Sequence, residues 1–335
     1  MERRSFGILI SLVGVAFLVV VLGNGLFGAS SSWENLSDDV RPVYTEAAIQ
    51  QQRADAQLLS NVSEEFNTTV LPTIANALGV SEAELATQFA GSYPATVAGV
   101  QALPTIAEGQ ERTANLLASQ QENFRSADAI PTADNSSVQV PWFITITGAL
   151  AIVIGVAMLR PGKIAPVVAA VLGAVMLVVP LVTSLPSKAS DADTLNEATA
   201  PLFSQANIDS SQAAITTLEA MAAELNTSLI PGLAQQLGLT PEQAQAFVAQ
   251  NFPTIAGALQ QFPDAIGRAR TATALLSENL GEFADVRDVP NQAIAWTVVA
   301  GGIATMVLAS ISLATDDRMR RIEQERRMRR ERAAA

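Results

Sequence analysis

Hydrophobic positions along this chain fall into two regimes. Four stretches are apolar and uninterrupted by charge: Phe6 to Gly28, Trp142 to Leu159, Ile164 to Leu185 and Ala293 to Ala314. Crossing a hydrocarbon core of ~30 Å takes about 20 apolar residues of helix, so each stretch predicts a transmembrane helix, the second barely long enough. In the long segments between them apolar residues recur at three- and four-residue spacing instead. Leu59, Val62, Phe66 and Val70 mark one face of a helix, and Leu218, Met221, Leu225 and Leu229 mark the same face again. Strand-like alternation of β-branched residues is absent, and Ala, Gln, Glu and Leu dominate, so the predicted fold class is an all-α membrane protein.

The two stripes belong to a longer repetition. Residues 4–131 recur 159 positions later: Gly14 matches Gly173, Pro42 matches Pro201, Tyr44 matches Phe203, Asn67 matches Asn226, Pro94 matches Pro253 and Pro131 matches Pro290. After a deletion of five residues Trp142 and Gly148 match Trp296 and Gly302. The expected architecture is a tandem duplication of one unit, span–helical domain–span. Both units begin and end on the same side of the bilayer, so a pseudo-twofold axis along the membrane normal should relate them, with the two helical domains packed side by side like an internal dimer.

Helix punctuation repeats too. Gly79 suits the left-handed position that ends a helix, and Ser81 to Glu84 opens the next with a capping box; Gly238 and Thr240 to Gln243 repeat the pattern. Pro94, Pro104, Pro253 and Pro263 predict breaks or kinks, since an interior proline removes a hydrogen bond and clashes with the preceding turn. The expected outer domain is a long helix over about 43–70, two short helices joined at Gly79, and a descending helix over about 105–124. Residues 186–197 read as a soft linker, and 127–140 and 285–292 as polar returns to the membrane.

Charge sets the orientation. The N-terminus, the loop with Arg160 and Lys163, and the tail together hold 12 basic and 6 acidic residues, whereas 29–140 and 186–291 hold 8 basic and 26 acidic residues. The basic segments share one side if the spans alternate, and the positive-inside rule makes that side cytoplasmic. The predicted layout is a cytoplasmic N-terminus at 1–5, a first span at 6–28 and an extracytoplasmic helical domain at 29–140. The second span at 142–159, a short basic loop at 160–163 and the third span at 164–185 follow. A second extracytoplasmic domain at 186–291, a fourth span at 293–314 and a basic cytoplasmic tail at 315–335 complete it. The first span reads as a retained anchor rather than a cleaved signal, being longer than a signal core. The Ala-rich, Cys-free composition reads as bacterial, which places the chain in the plasma (inner) membrane.

Chemistry is sparse. With no Cys and no His, disulfides, the usual zinc and haem ligands, and Ser/His/Asp or Cys/His catalysis are excluded. The spans contain no charged residue to mark an ion path; their polar groups, such as Asn24, Thr147, Thr305 and Ser312, suit interhelical or backbone hydrogen bonds. Glu64-Glu65, Asp38-Asp39 and Asp191-x-Asp193 lack the spacing of a calcium loop and read as a solvated anionic face. No catalytic, metal or cofactor site is expected. The most distinctive repeated polar motif, Asn67-Thr68 and Asn226-Thr227 ahead of Pro72 and Pro231, is either a helix cap before a kink or an interaction surface. Arg320, Arg321, Arg326, Arg327, Arg329 and Arg330 lie on a helix continuing the fourth span, suited to anionic headgroups or a cytoplasmic partner. Sequons at Asn35, Asn61, Asn67, Asn135 and Asn226 carry no message in a bacterium.

These features predict a non-enzymatic envelope protein whose duplicated outer domains bind or scaffold other components, as an accessory subunit of a membrane complex. Lipid or apolar-substrate handling is the alternative, and an extracytoplasmic sensor acting through a partner is a third. The bilayer, an envelope protein or second copy, and an apolar ligand or lipid are the expected partners. Nucleic acid is disfavoured by the acidic outer segments.

Overall fold

The computed structural model describes residues 3–130, 139–160 and 162–334; the side chains of Arg3, Pro241, Asp316, Met319, Arg320, Glu323 and 332–334 lie outside that description, as do Pro131 and Asn135. In chain order the helices of the first half are α1 (Arg3–Gly23), α2 (Leu26–Val40), α3 (Glu46–Glu65), α4 (Leu71–Leu78), α5 (Glu82–Ser92), α6 (Pro94–Asp128) and α7 (Val140–Ala157). Then come α8 (Ile164–Val182), α9 (Leu185–Thr199), α10 (Gln205–Glu224), α11 (Ile230–Gln236), α12 (Pro241–Asn251), α13 (Pro253–Glu278), α14 (Leu280–Arg287) and α15 (Asn291–Ala334). No strand occurs among the described residues. Four helical stretches are long and apolar enough to cross a membrane: Arg4–Gly23, Val140–Ala157, Ile164–Val182 and a window within Leu280–Thr315.

The chain forms two compact units and passes between them four times. One comprises Met1–Ser37, Glu122–Glu197 and Glu282–Ala335. Its centre is a four-helix bundle of α1, α7, α8 and α15, in which α1 pairs with α7 and α8 with α15. Glycines set both pairings. A Cβ at Gly14 would stand 2.4 Å from the Gly148 carbonyl oxygen, and one at Gly173 would stand 2.8 Å from that of Gly302. Gly7 meets Gly155 in the same way, so the α1–α7 pair is antiparallel and backbone touches backbone. Close backbone contact of this kind is how helices pack where a lipid solvent would remove the gain from burying apolar side chains. The outward faces carry large apolar residues, among them Leu22, Ile164 and Val182, each at least three-quarters exposed. Lys163, opening α8, pairs with Asp317 of α15, which puts the basic loop and the root of the tail at one end of the bundle.

Both leading spans end earlier than the apolar runs do. α1 stops at Gly23, and Gly25 adopts φ +58; α8 stops at Val182, and Ser184 adopts φ 55. The left-handed residue interrupts the helix, and α2 and α9 begin immediately after. Residues 185–199 are therefore helical where a soft linker was expected, and 285–287 are helical within α14. The reason is tertiary. Leu185, Ala189, Ala192 and Leu195 are buried along one face of α9, and the Asp193 carboxylate accepts from the backbone N–H of Asn291 at 3.1 Å and of Gln292 at 3.0 Å.

The other unit comprises Asp38–Gln121 and Ala198–Gly281. Its core draws on both stripes anticipated from periodicity: Leu59, Val62, Phe66 and Val70 are buried with Leu218, Met221, Leu225 and Leu229 in one cluster. Gly99 has no side chain where Met221 crosses it, with the methionine Cβ 2.6 Å from the position a Cβ would take. The capping boxes form in both places. Ser81 Oγ accepts from Glu84 N at 3.3 Å while Glu84 accepts from Ser81 N at 3.0 Å, and Thr240 with Gln243 does the same. Gly79 and Gly238 take φ +68 and +66, and each lets the next residue's N–H reach back to Ala75 or Ala234. Gly79→Ala and Gly238→Ala are each expected to lower stability by about 1 kcal/mol, since an L-residue is strained at that φ; denaturant unfolding followed by circular dichroism checks this, and an unchanged midpoint would contradict it.

Two of the four prolines do not break their helices. Pro104 lies inside α6 and Pro263 inside α13, while Pro94 and Pro253 open those helices. The interior prolines are tolerated because their surroundings are fixed by packing: Val100, Leu103 and Ala107 around the first and Ala258 and Phe262 beside the second are buried in the shared core. The long helix over 43–70 is also revised. Arg41–Tyr44 is a 3-10 turn, Thr45 caps α3 by accepting from Ala48 N, and Phe66–Val70 is π-helical, as is Leu225–Leu229.

Candidate functional site

The repeated Asn-Thr motif sits in these π segments. Asn67, Thr68, Asn226 and Thr227 are all exposed, and each turns its side chain back on its own helix. Asn67 Nδ2 donates to Ser63 O at 2.8 Å and Thr68 Oγ1 to Glu64 O at 2.8 Å; Asn226 and Thr227 donate to Ala222 O and Ala223 O at 3.0 and 2.8 Å. A π turn shifts amide pairing by one residue, and Asn and Thr can engage the carbonyls of the preceding turn. Pro72 and Pro231 follow within two residues, where a proline ring in a regular α-helix would collide with the carbonyl four residues back; the wider turn relieves that collision. The motif thus has a conformational explanation in both places.

The arginines of the tail are spread along α15. Arg321, Arg326, Arg327, Arg329 and Arg330 are exposed, and the Arg320 side chain lies outside the described residues. The acidic clusters do more than coat a surface. Asp38 pairs with Arg41, Asp39 accepts from Asn279 Nδ2 at 3.1 Å, and Asp191 accepts from Ser126 Oγ at 2.5 Å. Glu65 accepts from the backbone N–H of Thr254 at 3.2 Å and of Ile255 at 2.7 Å, and Glu224 accepts from Thr96 N at 2.6 Å. The expectation of a merely solvated anionic face is corrected for Glu65, Asp39 and Asp191, which satisfy distant donors, while Asp38 and Glu64 are exposed as expected.

Sequence reasoning missed a cavity of about 90 Å³ in the unit that holds the bundle. It lies at the end of the bundle where α1 and α8 stop and α7 and α15 begin. The positive-φ residues Gly25 and Ser184 restart the chain as α2 and α9, and both helices line it. Aligned positions of the two halves appear in pairs: Leu26 with Leu185, Trp33 with Ala192, and Ile144 with Val298. The pairing is unequal where the space opens, because Ala192 offers a methyl at the position where Trp33 offers an indole. Asn196 breaks the symmetry a second time, aligning with Ser37.

Asn196 is 3% exposed. Asn196 lines the cavity; its Nδ2 donates to Val286 O at 3.3 Å, while its Oδ1 is buried with no hydrogen-bond partner. Leaving a buried acceptor unpaired costs about 1–3 kcal/mol. The other amide in the wall is committed, since Asn291 Nδ2 donates to Asp193 Oδ1 at 2.9 Å. The rest of the wall is largely aliphatic. The cavity can therefore take a small apolar group. A signal for it existed in the sequence: Leu185, Ala189, Ala192 and Asn196 follow helical spacing, which the polar residues between them obscure.

Within the spans most hydroxyls back-bond. Thr147 Oγ1 donates to Phe143 O at 2.7 Å and Ser310 Oγ to Met306 O at 2.8 Å, whereas Thr305 Oγ1 and Ser312 Oγ are buried without a partner. No group of three or more potential metal ligands occurs among the described residues. Comparison with protein-family models, with curated proteins and with solved structures yields no match to this chain.

Proposed function

We propose that this is a non-enzymatic, multi-pass protein of the bacterial plasma membrane, built by tandem duplication, with both termini cytoplasmic. Its duplicated helical segments face outward and bind or scaffold other envelope components, as an accessory subunit of a membrane complex. The observation that carries this reading is the joint construction of the unit formed by 38–121 and 198–281. One apolar core is shared by both halves, and a carboxylate from each half caps a helix of the other. Such a body is preorganised, and preorganisation is what lets a surface bind without a large ordering cost. Its acidic exterior favours a basic or polar protein surface over nucleic acid.

A second reading, lipid or apolar-ligand handling, is favoured by the largely aliphatic cavity. Purification of the full chain by its C-terminal tail in mild detergent, with mass spectrometry of co-purifying proteins and lipids, separates the two. A stoichiometric protein partner is expected. Retention of one lipid species with no protein partner would replace the scaffold reading with the lipid one.

A further inference from the structure

We infer that the surfaces joining the two halves of this chain are heterotypic: each half is shaped to pair with the other and misfits a copy of itself. The inference rests on the tandem duplication proposed above, which makes each position of the first half the counterpart of one in the second. One contact shows that like and unlike pairing share a geometry. Glu65 Oε2 accepts from Ile255 N at 2.7 Å, and Glu224 Oε2 accepts from Thr96 N at 2.6 Å. Glu224 is the counterpart of Glu65, and Ile255 of Thr96, so the same contact is made once in each direction. A glutamate and a backbone amide are all it needs, and two like halves would supply both.

Other contacts between the halves would fail in like pairs. In the unit formed by 38–121 and 198–281, Gly99 of α6 lies under Met221 of α10, and a Cβ there would stand 2.6 Å from the methionine Cβ. Their counterparts are Ala258 and Val62, which line the same small cavity as Met221. Two second halves would set the Ala258 methyl against Met221, which is fully buried and whose Cβ cannot rotate away. Two first halves would set Gly99 against Val62 and leave a gap. Gly232 repeats the logic: a Cβ there would stand 2.5 Å from the Tyr93 hydroxyl, and its counterpart, Thr73, has one.

The unit that holds the bundle does the same with size and with charge. Gly301 of α15 lies under the ring of Phe17, which is buried, while its counterpart is Thr147. Ser126 Oγ of α6 donates to Asp191 of α9 at 2.5 Å, and Ser32 Oγ of α2 donates to Asp285 of α14 at 3.0 Å. Asp285 is the counterpart of Ser126, and Asp191 of Ser32. A hydroxyl therefore meets a carboxylate in both places, with the roles exchanged. Two second halves would bring Asp191 against Asp285, and like charges that close disfavour ionisation of both. Misfit with the wrong partner confers specificity as much as fit to the right one. The partner these surfaces fit is the unlike half.

Single substitutions install like-with-like contacts in the full chain. Gly99→Ala and Ser126→Asp each recreate the pairing of two second halves. Each should lower the thermal midpoint in mild detergent by about 5 °C, the shift expected for an overpacked core or a forced pair of carboxylates. Restoring unlike partners should recover most of the loss: Met221→Val added to Gly99→Ala, and Asp191→Ser added to Ser126→Asp. Single variants as stable as the parent would show that the halves are interchangeable at these positions, overturning the inference and leaving the duplication intact. Destabilised single variants that the second substitution fails to rescue would show that the positions are not counterparts, which sinks the duplication and the inference with it. The two contacts lie in different units, so if one variant does not fold the other still decides.

Discussion

Replacing Gly14 with alanine should destabilise the protein by about 2 kcal/mol, although alanine is the better helix former by ~1 kcal/mol. The new Cβ would lie 2.4 Å from the Gly148 carbonyl oxygen and 2.9 Å from the Ile152 amide nitrogen. Both are backbone atoms and cannot rotate away, so the α1–α7 pair must separate. Gly173→Ala should act likewise on α8 and α15, where the nearest atoms are the Met306 nitrogen at 2.6 Å and the Gly302 oxygen at 2.8 Å. Because the two pairs are distinct contacts, the double variant should lose about 4 kcal/mol. Gly23→Ala is the control, since a Cβ there meets nothing within 4 Å; it should be neutral or slightly stabilising. Thermal unfolding in mild detergent reads all four, and a Gly14→Ala protein as stable as the Gly23→Ala protein would refute close backbone packing as the basis of the bundle.

Glu65→Ala should lower the stability of the unit formed by 38–121 and 198–281 by about 2 kcal/mol, the range for a hydrogen bond to a charged group. The helix it caps, α13, starts at Pro253 after Phe252, whose side chain cannot accept a hydrogen bond, so the open amides have no local partner. The carboxylate also faces the positive end of the helix dipole. Hydrogen exchange gives the decisive pattern. Glu65→Ala should expose the amides of Thr254 and Ile255, 189 and 190 positions away, and Glu224→Ala should expose Thr96, 128 positions away. If Glu65→Ala instead loosens only its own neighbours in α3, the reciprocal capping is wrong and with it the joint construction behind the proposed scaffold.

Legibility followed the range of the interaction. Ser81 with Glu84 and Thr240 with Gln243 were readable as capping boxes because both partners lie within one helical turn. Gly79 and Gly238 were readable because only glycine enters the left-handed region freely. The paired stripes at Leu59 and Leu218 were readable because burial imposes the helical period on one chain segment at a time. Pro104 and Pro263 misled, because propensity counts a proline's lost hydrogen bond and not the core that holds the helix around it.

The sequence by itself determined the four long apolar helices, the helical class and the helix-ending glycines, all of which depend on composition or on residues within a few positions of one another. Tertiary structure decided that 185–199 is a helix, that Glu65 and Glu224 cap distant helices, and that a cavity opens beside Asn196. Each of these brings together groups 90 or more positions apart, and a pattern along the chain carries no record of which distant amide a carboxylate will meet or which side chain will leave a neighbour unfilled.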